Sequence, residues 1–458
     1  MFNIVLIILL NILNFSLCQI IYEFDKDLNF NENMTINDIY TNLAYNDLYT
    51  YIKIGTPEKK LKVAISFQHK SLVILGSNIK RPDIFNESNS SSYNKIISQE
   101  FNLIKNQLYN GYISEDIIKL NNFEKSLKIQ FFLGEEIYKE SYSFRDEYEP
   151  INFSGYIGLA IESLYNNELP DSLPIYLYNN YNNNYNFKSP FSIFFDSNNK
   201  NSYKGKLIIS GYPHEYNNSY HKEEYISTRI QKNRENYLDW CIILDNIYYD
   251  NDIIDSNGKI IFRPEIGIII LDYNCYNKIT ENYFKDYIEK KICNLTTFYL
   301  SGEEYKYYYC NKEINLTKFK QMNFELKDIN FNFSLNYEDL FYEYNEKYYF
   351  LIAASNYKNI YIFGTPLMKK YNLVFDRYNS KIGVYKNIYN NNKDNEDNKN
   401  NENNKRNIIL IISIIILSIL IIIVLIYIIW NYFNKPRAPR KNEINDEYNY
   451  IEEPNKIN

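Results

Sequence analysis

The chain has 458 residues, 45% hydrophobic and 17% aromatic, with a formal net charge of −6, enough apolar material for one large or two medium globular domains. So mild an acidity excludes the basic face expected of a nucleic-acid binder, and the excess of Asn, Tyr, Ile and Lys is compositional bias without chemistry of its own. No cysteines or histidines stand at the short paired spacing of a zinc site, so neither a metal nor a cofactor is expected.

Residues 1–18, MFNIVLIILLNILNFSLC, form an apolar opening run read as a secretory signal peptide cleaved near Cys18, although its start lacks the usual basic residues. An uncleaved signal anchor is the alternative. Eight Asn-x-Ser/Thr sequons follow, at Asn33, Asn86, Asn89, Asn152, Asn217, Asn294, Asn315 and Asn332, candidate glycosylation sites in a secretory protein. The four cysteines beyond the signal, Cys241, Cys275, Cys293 and Cys310, suit disulfides in an oxidising compartment.

Residues 19–47 form a short, acidic N-terminal arm. At Tyr51 a β-hairpin begins: YIKI, a turn at Gly55-Thr56-Pro57, then the alternating LKVAI. Ser66-Phe67-Gln68-His69 come next, ahead of the apolar Leu72-Val73-Ile74. A Ser/Asn-rich surface loop spans Asn86 to Asn94, and LIKNQLYNGYISEDIIKL reads as a second hairpin. The segment FSGYIGLA, residues 153–160, predicts a buried glycine-containing strand followed by a helix in SLYNNELPDSLPIYLYNN; FSIFF at 191–195 and GKLIISG at 205–211 are further strands. The second half opens near Tyr237 with LDWCIILDNIYYDNDII and continues through KIIFRPEIGIIILDYNCYNKI to YIFGTPLMKKYNLVFDRYNSKIGVYK, residues 361–386.

These segments resemble the pepsin-like aspartic proteases. IGTP before an apolar strand, FDGILGLA, FSIYL…GxLxxGG and ILGDxFLRxYYxVFDxxNxxIGFA are that family's patterns, and the last is met here at Ile362, Gly364, Leu367, Tyr371, Val374, Phe375, Asp376, Asn379, Ile382 and Gly383. The resemblance runs over roughly residues 48–386. It implies an all-β, bilobal pepsin-like double β-barrel ectodomain with an N-terminal lobe at 48–227 and a C-terminal lobe at 228–386. It also implies a disulfide between Cys293 and Cys310, with Cys241 and Cys275 left as the other pair.

The same resemblance locates two catalytic loops, and both depart from the family. Aligned without a gap, Ser66-Phe67-Gln68-His69 fall in the places of the first Asp-Thr-Gly-Ser, and no acid lies between Lys59 and Pro82. The second Asp-Thr/Ser-Gly-Thr falls on Arg263-Pro264-Glu265-Ile266; a two-residue slip puts Glu265-Ile266-Gly267 there instead. The family mechanism needs two facing carboxylates that share a proton, one activating water and the other protonating the substrate. A serine hydroxyl can do neither, and losing acid–base catalysis alone costs about 10²–10⁴-fold. An arginine at the other place is always charged and, if buried, needs an anion, either Glu265 or the carboxylate of a bound partner. A replacement Ser66–His69 hydrolase lacks an evident orienting acid and oxyanion hole, so both are read as turn residues. At the flap, Ile104 and Lys105 fall where the family has Tyr-Gly. The arm is shorter and more acidic than the basic propeptide of family zymogens, which also points away from catalysis.

Residues 387–407, NIYNNNKDNEDNKNNENNKRN, predict a disordered linker. Residues 408–430 are almost uninterruptedly apolar and long enough to span a bilayer as one C-terminal transmembrane helix. Lys435, Arg437, Arg440 and Lys441 behind it, against Lys405 and Arg406 before it, orient residues 431–458 to the cytosol. In that tail Tyr448 and Ile451 have the form of a tyrosine-based sorting signal. The expectation is a type I membrane protein of the secretory pathway or cell surface: a catalytically inactive aspartic-protease homologue whose inter-lobe cleft is kept for a peptide or protein ligand or for structure. The alternatives are an active endopeptidase with a carboxylate pair elsewhere and a purely structural surface protein.

Overall fold

Alternation of apolar and polar residues builds most of this molecule. In the strand Tyr49–Ile54, Thr50, Ile52 and Ile54 point inward while Tyr51 and Lys53 face solvent. The computed structural model describes residues 19–386 apart from 27, 29, 46, 80–82, 105–106, 139–152, 163–168, 197–202, 234–236 and 301–302, with the backbone alone at 98–104, 107–109, 137–138 and 300. The signal-like segment 1–18, Asn152, the linker, the apolar segment 408–430 and the tail with Tyr448 and Ile451 lie outside the described residues. Among the described residues no helix is long and apolar enough to cross a membrane.

The fold is mostly β, consistent with a pepsin-like bilobal body. A seven-stranded sheet in the first half runs, edge to edge, Tyr49–Ile54, Lys59–Ser66, Gly155–Gly158, Val73–Leu75, Ser126–Tyr138, Gln107–Lys119 and Asn94–Ile104. An eleven-stranded sheet in the second half has at its centre Cys241–Tyr249, Asp252–Phe262, Ile360–Phe363, Ile269–Asp272 and Ile352–Ser355. A six-stranded sheet draws on both halves, in the order Ile20–Phe24, Gly205–Ile209, Phe191–Phe195, Leu373–Asp376, Lys381–Tyr385 and Tyr225–Arg229. The C-terminal motif read from the sequence therefore serves two sheets: Ile360–Phe363 lies in the eleven-stranded sheet, and Leu373–Asp376 and Lys381–Tyr385 lie in the shared one. Asp376 is 1% exposed, and its carboxylate accepts from Ser189 Oγ (2.7 Å), Tyr212 OH (2.6 Å) and Asn379 Nδ2 (2.7 Å), which satisfies a charge that burial would otherwise make costly.

The arm, expected only as a short acidic lead-in, is built into the body. Ile20–Phe24 pairs antiparallel with Gly205–Ile209. The helix Ile36–Ala44 follows, with a reciprocal capping box between Thr35 and Asp38. Its Ile39, Tyr40, Leu43 and Ala44 pack against Ile266, Ile268, Ile270, Phe298 and Tyr307 of the second half, and Tyr40 stacks on Tyr307 with ring centroids 3.5 Å apart. The helix expected within SLYNNELPDSLPIYLYNN is Leu173–Tyr185. It begins behind Ser172 with Pro174 in its first turn, where a missing N–H costs nothing.

Cys293 and Cys310 form a disulfide across the hairpin of Cys293–Leu300 and Glu303–Asn311. The expected Cys241–Cys275 bond is not formed, because both are buried free thiols. Strand alternation separates them: Cys241 lies opposite Ile261, on the face turned away from the core that Trp240 and Ile242 enter. Cys275 belongs to that main core, in the first turn of the helix Tyr273–Glu289. Burial pushes the Cys241 thiol up to about 12 and raises the Cys275 thiol well above its ordinary value, so neither is a thiolate near neutral pH. Thiol alkylation and peptide mapping should therefore recover Cys293 and Cys310 as one linked peptide, and Cys241 and Cys275 as thiols that react only after unfolding.

Candidate functional site

Two loops, one from each half, occupy corresponding places. In the first half Lys59–Ser66 runs parallel to Gly155–Gly158, with Ser66 opposite Gly158. In the second, Asp252–Phe262 runs parallel to Ile360–Phe363, with Phe262 opposite Phe363, so the next residue, Arg263, comes beside Gly364 and donates its N–H to Phe363 O (3.0 Å). Farther on, Val73 pairs with Tyr156 and Ile270 with Ile362, each two residues before its glycine. Residues 66–73 and 263–270 thus correspond one for one. Both glycines are required by close approach: a Cβ on Gly158 would come within 3.0 Å of the carbonyl oxygens of His69 and Ser71, and one on Gly364 would crowd those of Ile266 and Ile268.

At the head of the first loop Ser66 is 5% exposed, and its Oγ accepts the N–H of Gln68 (3.1 Å). His69 is also buried, its ring packed edge-on against Tyr156 at 4.9 Å. At the head of the second, Arg263 turns its guanidinium onto Asp239 in a two-pronged pair, with Nη1 2.8 Å from Oδ1 and Nη2 on Oδ2. The two side chains are 13% and 3% exposed. Asp239 Oδ1 also accepts the N–H of Trp240 (2.7 Å). The anion that a buried arginine needs is therefore Asp239, a residue the sequence reading passed over, rather than Glu265 or a ligand. Its signal was its place in LDWC, at the start of the strand adjoining KIIF.

Glu265 lies between the loops. Its Oε1 accepts the N–H of Phe67 from the other half (3.2 Å), while Oε2 is enclosed and has no hydrogen-bond partner among the described residues. Burial pushes its carboxyl up to about 7, against the opposing pull of Arg263. The halves are joined further by Trp240 Nε1 donating to Leu159 O (2.7 Å) and by Glu162 Oε2 accepting Leu238 N–H (2.8 Å). Beneath the first loop, Phe67, Phe191, Trp240 and Phe375 form one aromatic cluster with centroid separations of 4.8 Å for Phe67–Phe375 and 5.1 Å for Trp240–Phe375.

The arm reaches the second loop directly. Ala44 O accepts the N–H of Gly267 (2.8 Å), and Tyr45 bridges Ile266. The residues of the slipped register, Ile266 and Gly267, are thus engaged by the chain's own N-terminal segment. Ile104 is the last residue of the strand Asn94–Ile104 and pairs with Gln107, at the turn of the hairpin expected as a flap. A pair of carboxyls does occur elsewhere, between Asp255 and Asp272 within the second half. Asp272 is pushed upward, first by burial and then by the neighbouring Asp255 carboxyl. Both are bound into structure: Asp272 Oδ1 caps the helix Tyr273–Glu289 through Cys275 N–H (2.7 Å), and Asp255 Oδ2 accepts from Tyr361 OH (2.7 Å). A groove of about 460 Å³ lies at the far end of the same parallel pair, lined by Asn257, Lys259, Asn356, Lys358, Asn359 and Ile360.

The two equivalent strand–loop–strand units stand at the places where the resemblance put the family's two catalytic loops. A family model described as Eukaryotic aspartyl protease matches residues 47–386. The chain belongs to the eukaryotic aspartyl proteases. No curated protein matches it. Within this aspartyl-protease fold, Ser66 and Arg263 head the corresponding loops, and the acids described at the junction are Asp239, Glu265 and Glu162, engaged as above. Among the described residues no group of His, Cys, Asp or Glu has the arrangement to hold a metal ion.

Two outcomes follow for stability. Asp239→Asn leaves the guanidinium buried without its counter-ion and should lower the unfolding free energy by about 3–5 kcal/mol, whereas the pair Asp239→Leu with Arg263→Met should cost far less; denaturant titration of the three forms checks this. Glu265, with a folded pKa of about 7 against the usual 4.5, contributes stability that is fully present below about 4.5 and is lost as pH rises through about 7. The difference between the chain and its Glu265→Gln variant should therefore change by up to about 3 kcal/mol across that window, read from unfolding midpoints at several pH values.

Proposed function

We propose that this aspartyl-protease homologue is catalytically inactive, anchored in a membrane of the secretory pathway by the apolar segment 408–430, and serves as a structural ectodomain. The observation that carries the reading is that the two equivalent loop heads are Ser66 and Arg263, the latter held by Asp239. A hydroxyl bonded to its own loop and a guanidinium bonded to aspartate supply neither a base for water nor an acid for a carbonyl. Glu265 is one carboxyl, and a single carboxyl cannot share its proton with a partner.

Between a peptide-binding and a structural cleft, the arm favours the structural role. An extended peptide binds such a fold through free backbone groups and side-chain pockets. The N–H of Gly267 is already bound to Ala44 O, and the helix Ile36–Ala44 covers Ile266 and Ile268.

Exposure of the sequons supports a luminal or extracellular body. Asn33, Asn89, Asn217, Asn294, Asn315 and Asn332 are exposed, and Asn86 is half-buried with its side chain accepting Ser88 N–H. In this reading the linker 387–407 carries the body above the bilayer, and the cytosolic tail presents Tyr448 and Ile451 to the sorting machinery.

The test is to incubate the folded, membrane-extracted protein with a diverse peptide library from acid to neutral pH. No new termini should appear at any pH. Cleavage that a statine-type inhibitor abolishes would establish an endopeptidase instead, and peptides retained uncut would replace the structural role with a binding one.

A further inference from the structure

Gln19 is the residue immediately after the leader-like segment 1–18, and Ser16 and Cys18 place small side chains three positions and one position before it, where a signal peptidase requires them. Gln19 is the first of the described residues. Ile20 is fully buried and starts the strand Ile20–Phe24 at the edge of the six-stranded sheet. Gln19 lies over Gly211, where an added Cβ would stand 3.1 Å from Gln19 Nε2. That Nε2 is enclosed and has no hydrogen-bond partner among the described residues. A buried amide donor without an acceptor is destabilising.

Cleavage after Cys18 would add a second burden at the same spot, an α-ammonium at the head of a buried strand. The carboxylate beside it is already engaged: Glu215 Oε2, 3.4 Å from the same Cβ position, accepts Tyr212 N–H (3.0 Å), and Glu215 Oε1 is paired with Lys188 Nζ.

We propose that Gln19 becomes the N-terminal residue of the mature chain and is converted there to pyroglutamate. This rests on the secretory reading given above. In the reaction the uncharged α-amino nitrogen attacks Cδ of its own side chain, and the new C–N bond closes a five-membered lactam. The Cδ–Nε2 bond breaks, the amine proton passes to Nε2, and Nε2 leaves as ammonia. No oxidant, reductant or co-reactant is needed. One step removes both the unpartnered nitrogen and the terminal charge, and leaves a compact neutral ring beside Gly211.

The test uses the full chain, expressed with its own leader in a eukaryotic secretory host, extracted from membranes and digested for mass analysis of its N-terminal peptide. The expected species starts at residue 19, is lighter by one ammonia than the glutamine form, and resists aminopeptidase until a pyroglutamyl peptidase has acted. A peptide starting at residue 19 with an unmodified glutamine would overturn the cyclisation while leaving the leader reading intact. A peptide starting at Met1 or at another cut would overturn the leader reading and the proposal with it. The Gln19→Ala variant should start at the same position with a reactive α-amine; a blocked terminus there would show that the block does not belong to Gln19 and would equally overturn it.

Discussion

A guanidinium can be kept at the junction of two packed halves only with an anion of matching geometry, and the ion pair of Arg263 with Asp239 meets that requirement. Removing two charges from water costs several kcal/mol per ion, recovered only when the contact is close and the remaining donors are satisfied. Here the planar fork meets both carboxylate oxygens, and Trp240 N–H adds a further bond to Asp239. Because Asp239 immediately precedes Trp240, the pair also fixes the indole that donates to Leu159 O and completes the aromatic cluster under the first loop. The chemistry at the head of the second loop and the joining of the halves are thus one arrangement.

Much of the fold was legible because glycine and apolar spacing carry it. FSGYIGLA and YIFG marked the strands with crowded glycines, since Gly158 and Gly364 have backbone carbonyls where a Cβ would go. VFDRYN was legible for a similar reason, because Asp376 is held by several partners at once. Disulfide partnership was not fully legible. A count of four cysteines invites two bonds, but whether two thiols can meet depends on which face of a strand each occupies, and Cys241 and Cys275 lie on different sides of their sheet.

The site itself was half legible. The family resemblance, aligned without a gap, located Ser66 and Arg263, and the demand of a buried arginine for an anion followed from its charge. Which acid answers it did not follow, because Asp239 is 24 residues away in sequence and is brought close only by the pairing of Cys241–Tyr249 with Asp252–Phe262. The arm was harder still. Its composition read as a short acidic arm, yet Ile20, Tyr22 and Phe24 alternate inward in a shared sheet, and the helix Ile36–Ala44 buries one face on the second half. Five-residue and nine-residue elements are too short to be secure from periodicity alone, and long-range packing decides them.

A central claim that this aspartyl-protease fold has no shared-proton carboxylate pair at the heads of its two corresponding loops is tested most directly by titrating the folded protein with a statine-type inhibitor in a calorimeter, from acid to neutral pH. Such an inhibitor places its hydroxyl between the two carboxyls of an active site and draws much of its affinity from them. The account predicts no saturable binding at any pH. Tight one-to-one binding that strengthens on acidification would contradict it, since a protonated carboxyl dyad would then have to exist between the lobes.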